Sequence, residues 1–310
     1  MGRASTPRGS MTTIAAPSRD LTAWIVLFLC GISWGVTGPL SKLAVSTGHH
    51  PVAITFWSVL IAAIFFSIVL FVRRERPRLS RFAVFFFLGC GFLGTAFPNS
   101  LSYEAYRHLP VGVNVMILSL VPMATLLIAL PFGVEKLDMR RALGLGLGVV
   151  AVALITVPST SLPSPEIAIY VALPVLVAVS YAAENIWIAR LQPKSMSTLM
   201  VMWGLSVGGV VLLAPVTFGL GVLFDISAMG PAEMAVIASS IVHICAYFGF
   251  VWMIKRSGPV FASQVGYIVT ATGVLLGMAF FDERHSAWVW AALALMMIGL
   301  SLVKPADRQE

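Results

Sequence analysis

Apolar residues in this chain come in long unbroken runs, and the polar residues fall between the runs instead of alternating with them. The runs cover 22–46, 51–72, 82–104, 110–132, 138–157, 168–190, 197–220, 231–254, 259–280 and 286–303. As helices rising about 1.5 Å per residue, most can cross a hydrocarbon layer about 30 Å thick. Strands of a membrane barrel would be shorter and would alternate. The pattern predicts an all-α integral membrane protein with ten transmembrane helices. Pro110 and Pro259 stand where proline costs no hydrogen bond, in a first helical turn. Asp138 and Ser286 are candidate N-caps. Gly38-Pro39, Pro98, Pro122 and Pro174 sit inside runs and can kink them.

The polar punctuation repeats. Tyr106 to Ile155 aligns without gaps on Ile254 to Val303, 148 residues later. Arg107 then falls on Lys255, Phe132 on Phe280, and Glu135-Lys136 on Glu283-Arg284. Each copy is a basic corner, an apolar run, an acidic-basic pair and a second apolar run, as expected of a duplicated unit. The domains read as a disordered cytoplasmic tail over 1–20, a first five-helix repeat over 21–157, a second over 165–304, and a short cytoplasmic tail over 305–310.

Lysines and arginines are distributed unevenly across these spans. Counted alternately, seventeen of the twenty fall on one side, and only Lys42, Arg107 and Arg284 on the other. The positive-inside rule then places both termini in the cytoplasm. Five spans per half is an odd number, so the second half enters the membrane inverted. Inverted repeats are a device of secondary transporters, which rock one half against the other around a site near the midplane.

Composition agrees. The chain of 310 residues is 58% hydrophobic and 11% charged, with mean hydropathy +0.93, whereas soluble domains carry about 25% charged residues. The net charge of +7 does not indicate nucleic acid, because it sits in short clusters between apolar runs. Cys30, Cys90 and Cys245 each lie in such a run, without metal-site or disulfide spacing. No metal, cofactor or nucleotide site is expected.

The candidate chemistry is sparse. An acid at the bilayer centre costs roughly 2.5–3.5 kcal/mol on insertion scales. Glu184, beside Asn185 in the sixth run, could bind a substrate ammonium or carry a proton, or be a protonated structural glutamate. His243, in the eighth run, could titrate or bond a backbone carbonyl. Asn99 and Tyr103 of the third run are candidate cavity residues; Glu104 nearby pairs with Arg107 or is solvated. Gln264, Tyr267 and Thr270 share a face of the ninth run. Trp34, Tyr181 and Trp187 could stack a substrate or hold a cation, or pack the core. Lys42 could snorkel or meet a substrate carboxylate. Glu135 and Glu283 stand where the helix dipole disfavours an acid, so each reads as an ion pair or a cap on the next helix, with gating as an alternative. Gly144-x-x-x-Gly148 and Gly273-x-x-x-Gly277 permit close helix contact.

Ile32 to Ala44, ISWGVTGPLSKLA, and the acidic-basic pairs followed by Gly/Ala/Leu-rich helices resemble the EamA family of the drug/metabolite transporter superfamily, over residues 21–304. That resemblance implies a bacterial inner-membrane exporter of small metabolites, often amino acids. The inverted repeats imply alternating access, with the lipid bilayer and a small-molecule solute as partners; coupling to protons and facilitated diffusion both fit. The chain departs from the pattern at Tyr181-Ala182-Ala183-Glu184, which stands where the first half has Trp34-Gly35-Val36-Thr37. A carrier of another solute class, such as a multidrug, quaternary-amine or nucleotide-sugar carrier, fits the same architecture. An integral-membrane enzyme is a distant third.

Overall fold

The computed structural model describes residues 21–77, 79–131, 137–158, 161–193, 195–262 and 264–303. Both tails, Arg78, Lys194 and the pair Glu135-Lys136 lie outside the described residues.

Ten apolar helices run through the described residues: α1 (Leu21–Ala44), α2 (Pro51–Val72), α3 (Arg81–His108), α4 (Val111–Ala129), α5 (Met139–Thr156), α6 (Pro165–Leu191), α7 (Thr198–Gly219), α8 (Pro231–Ala262), α9 (Val265–Phe281) and α10 (Ala287–Val303). Large apolar side chains such as Phe28, Phe71 and Phe280 point outward, as they must where the solvent is lipid. Many hydroxyls bond back into their own helix, as Thr55 does to the Pro51 carbonyl and Ser240 to that of Val236; lipid offers no other acceptor.

Local chemistry sets the ends and breaks. The Asp138 carboxylate caps α5, accepting from the Arg141 amide at 2.8 Å. Ser286 differs from expectation: its carbonyl opens α10, but its buried hydroxyl makes no hydrogen bond among the described residues. α4 breaks after Leu118 and resumes at Val121, with Pro122 in the new first turn. α3 contains a π-helical segment, Phe92–Ala96, directly before Pro98. The expected start of the ninth helix at Pro259 is corrected. α8 continues through Pro259 to Ala262, and α9 begins at Val265. Proline's fixed φ suits a helix, and the bond it removes is one that membrane helices can forgo.

The packing maps onto itself when the halves are exchanged. α1 packs against α8 and α9, and its twin α6 packs against α3 and α4. α3 meets α7 as α8 meets α2, while α2–α7, α4–α9 and α5–α10 pair across the exchange. With five helices per half, these are inverted repeats. Small residues bring the paired helices close: Gly273 and Gly277 of α9 face Val115 and Val111 of α4, and Gly144 of α5 faces Val303 and the Gly299 carbonyl of α10.

Helix direction sorts the charges. Arg73, Arg74, Arg76, Arg81, Arg140, Arg141, Arg190 and Arg256 fall at one set of helix ends, the basic face. Lys42, Arg107 and Arg284 fall at the other, the sparse face.

Candidate transport cleft

α6 carries the acid, and the other repeat shapes the space around it. Glu184 lies against the π-helical segment of α3, where Gly94 has no side chain; a Cβ there would overlap the carboxylate. The same stretch is held to α6 by Ser180, whose hydroxyl donates to the Leu93 carbonyl at 2.7 Å. A π-helical turn widens the helix and redirects side chains, and such turns are common at functional sites. One turn of α6 away, the Tyr181 hydroxyl donates to Asn99 Oδ1 at 2.6 Å. Glu184 is also within electrostatic range of Tyr181, Tyr247 and Cys90.

These groups are enclosed by protein on most sides, yet Glu184, Tyr181, Tyr247 and Asn99 all keep accessible surface, and His243 is exposed. Dense surroundings together with accessible surface describe residues lining an internal cleft. Trp34 borders it from α1, 6.0 Å from the His243 ring and 5.3 Å from Phe250. The Trp34 indole nitrogen is buried without a hydrogen-bond partner among the described residues. His243 and Glu184 belong to different helices, and no hydrogen bond joins them among the described residues.

α9 packs against Val111–Leu118 of α4 and hardly meets Val121–Ala129. The two helices therefore close on each other at the sparse face and part toward the basic face.

Other sequence candidates are placed elsewhere. Trp187 packs between α6 and α3, against Phe85, and its indole donates to the Phe86 carbonyl at 3.2 Å. Asn185 donates to Thr125 of α4 at 3.2 Å. Tyr103 is buried above the cleft, 3.3 Å from the Ser58 hydroxyl. Thr270 is buried and bonded to the Gly266 carbonyl of its own helix. Tyr267 packs beside Met123 and Leu300, and Gln264 stands at the start of α9 near the basic face. Lys42 is not at the cleft: at the sparse-face end of α1 it donates to the Leu109 carbonyl at 2.9 Å. Glu104 bonds Arg107 at 3.1 Å and His108 at 2.9 Å. Glu283 caps a helix, but that helix is α4 of the other half and not the next one.

Sequence reasoning did not single out Gly94, and it reaches Tyr247 only as the repeat counterpart of Asn99. Tyr247 is the repeat twin of Asn99 at the 148-residue offset, which was a usable signal. Gly94 carried none, because a π-helical turn has no sequence signature here.

Comparison with known proteins gives a consistent picture. Residues 21–157 and 168–304 each match the EamA-like transporter family. One solved crystal structure of a protein aligns with a TM-score of 0.59 at 17% identity, over 91% of this chain and 96% of that one. At that identity the likeness is one of fold. No curated protein matches. Two matched segments that together take in nearly all of the ten helices, in a membrane bundle of two inverted halves, show that the chain belongs to the EamA-like transporter family.

Proposed function

We propose that the protein exports amino acids or related amine-bearing, amphipathic solutes across a bacterial inner membrane by alternating access. The observation that carries this reading is the lone carboxylate of Glu184, held in a cleft among Tyr181, Asn99 and Tyr247. A carboxylate in a low-dielectric cleft attracts an ammonium group or a proton, and aromatic walls suit an amphipathic solute and favour a cation. The repeat strengthens the argument. The counterpart of Glu184 in the first repeat lies near Thr37, whose hydroxyl donates to the Trp34 carbonyl of its own helix at 2.6 Å. A duplicated scaffold has no need of an acid at this place, so the acid serves the solute or the coupling ion.

Charge orients the bundle, and the orientation supports an export reading. The positive-inside rule makes the basic face cytoplasmic and puts both termini there. The parting of α4 and α9 toward that face supports loading from the cytoplasm. A quaternary or aromatic amine is the second reading, favoured by the absence of a lysine or arginine beside Glu184 among the described residues to meet a substrate carboxylate.

Purified protein in liposomes, assayed with amino acids, organic amines and a sugar nucleotide, tests the proposal. Saturable flux of an amine-bearing solute is the expected result. Flux of the sugar nucleotide alone would overturn it.

A further inference from the structure

The sparse-face end of the cleft is held by a cluster that spans both halves. Glu283 lies two residues beyond α9, where the dipole of its own helix disfavours an acid. Asp282 before it adopts a left-handed φ of 51°, a conformation that costs a non-glycine residue on the order of 1–2 kcal/mol. The turn sends Glu283 back over Gly277, where a Cβ would overlap its carboxylate. From there Glu283 accepts from the Val111 amide at 2.5 Å and the Gly112 amide at 3.0 Å. It thereby satisfies two donors at the start of α4 that have no partner within their own helix. His285 sits 3.6 Å from the carboxylate, its side chain 2% exposed, in room left by Gly112. Lys42, tied to the Leu109 carbonyl, is attracted to Glu283 from α1. An open vestibule of about 420 Å³ lies outside, with Lys42, Tyr106, Arg107 and Phe281 in its wall.

The cluster joins the α9–α10 corner of one half to the α3–α4 corner and the end of α1 of the other. It lies where α4 and α9 are together, and they part at the opposite face. A solute leaving by the sparse face must pass this junction.

We propose that Glu283 is a positioning residue, the latch of the sparse-face gate: release of its bonds to the Val111 and Gly112 amides opens the cleft to that face. This rests on the transporter reading above.

Site-directed thiol labelling tests the latch without needing a substrate. Cys30, Cys90 and Cys245 are replaced by alanine, and Asn114→Cys is the reporter. Asn114 is fully buried beside the Tyr106 hydroxyl, one turn inside the latch. A membrane-impermeant maleimide applied from the sparse face labels this reporter slowly when Glu283 is intact. With Glu283→Gln, labelling becomes on the order of tenfold faster in protein that is still folded at the assay temperature, because loss of a charge-assisted bond shifts the populations by that order.

A second arm closes the gate. A Cβ at Gly273 would lie 3.2 Å from that of Val115, near disulfide range of about 3.5–4.5 Å. Val115→Cys with Gly273→Cys, oxidised, blocks labelling and flux, and reduction restores both. A folded Glu283→Gln protein labelled at the reference rate, or an oxidised pair that labels and transports freely, would overturn the latch. Should Glu283→Gln not fold, Glu283→Asp, which keeps the charge but shortens its reach to the Val111 and Gly112 amides, takes its place: faster labelling supports the latch, and labelling at the reference rate overturns it. Absence of flux with every solute while labelling responds as described would count against the transport proposal and leave the latch standing.

Discussion

The Glu184 carboxylate of α6 fills the space that a side chain at Gly94 of α3 would occupy. The acid and the π-helical turn therefore form one feature, built across the two repeats. Gly94→Ala puts a methyl group against the movable end of a flexible side chain. It should displace the carboxylate while changing stability by less than about 1 kcal/mol. Flux should fall by roughly tenfold to a hundredfold, the order expected for a misplaced functional group. Proteoliposome flux measured beside a thermal melt checks this; wild-type flux in Gly94→Ala would separate Glu184 from the solute path.

Tyr181 of α6 donates to Asn99 of α3 at 2.6 Å beside the cleft. Hydrogen bonds between membrane helices are worth roughly 0.6–1.7 kcal/mol. Tyr181→Phe and Asn99→Ala should each lower stability by about that much. In the double mutant the losses should not add, because either change alone breaks the bond. Thermal unfolding of the four proteins of the cycle measures the coupling; full additivity would remove the bond from the account.

His285 lies outside the spans, faced by Glu283 at 3.6 Å and by the Trp290 ring at 6.3 Å. Burial pushes its imidazole below the ordinary 6.5, and the neighbouring Glu283 offsets this only in part. The unfolded chain therefore binds the proton more readily than the folded one. The resulting stability is present above pH 6.5 and is lost as pH falls below it. His285→Gln should flatten this decline, and melting temperatures between pH 7.5 and 5 in the two proteins will show whether it does.

Packing across the repeats gives a paired test on α5. A Cβ at Gly144 would press on Val303 and the Gly299 carbonyl, whereas one at Gly146 meets open space. Gly144→Ala should destabilise by about 1–3 kcal/mol through overpacking. Gly146→Ala should be neutral or stabilise by up to about 1 kcal/mol through helix propensity. Equal melting temperatures would contradict the α5–α10 contact.

Much of the architecture was legible because basic clusters interrupt the apolar runs at every second turn. The cap at Asp138 and the break at Pro122 could be read from local chemistry alone. The α8–α9 boundary was misplaced because Pro259 suits a helix start and is also tolerated inside a membrane helix. Orientation was harder to read. A helix surrounded by lipid and by other helices is apolar on all sides and has almost no amphipathic signal. Trp34 at the cleft and Trp187 in the packing therefore look alike in sequence. The partners of Glu283 and Lys42 lie 172 and 67 residues away, so only the folded chain reveals them.

Proton-driven accumulation compared with solute exchange in Glu184→Gln tests the central claim most directly. In liposomes, an imposed pH gradient should drive wild-type protein to accumulate its solute. The mutant should lose that stimulation and keep exchange when solute is present on both sides. If Glu184→Gln still accumulates solute in response to the gradient as wild type does, Glu184 is not the coupling group and the account of the cleft fails.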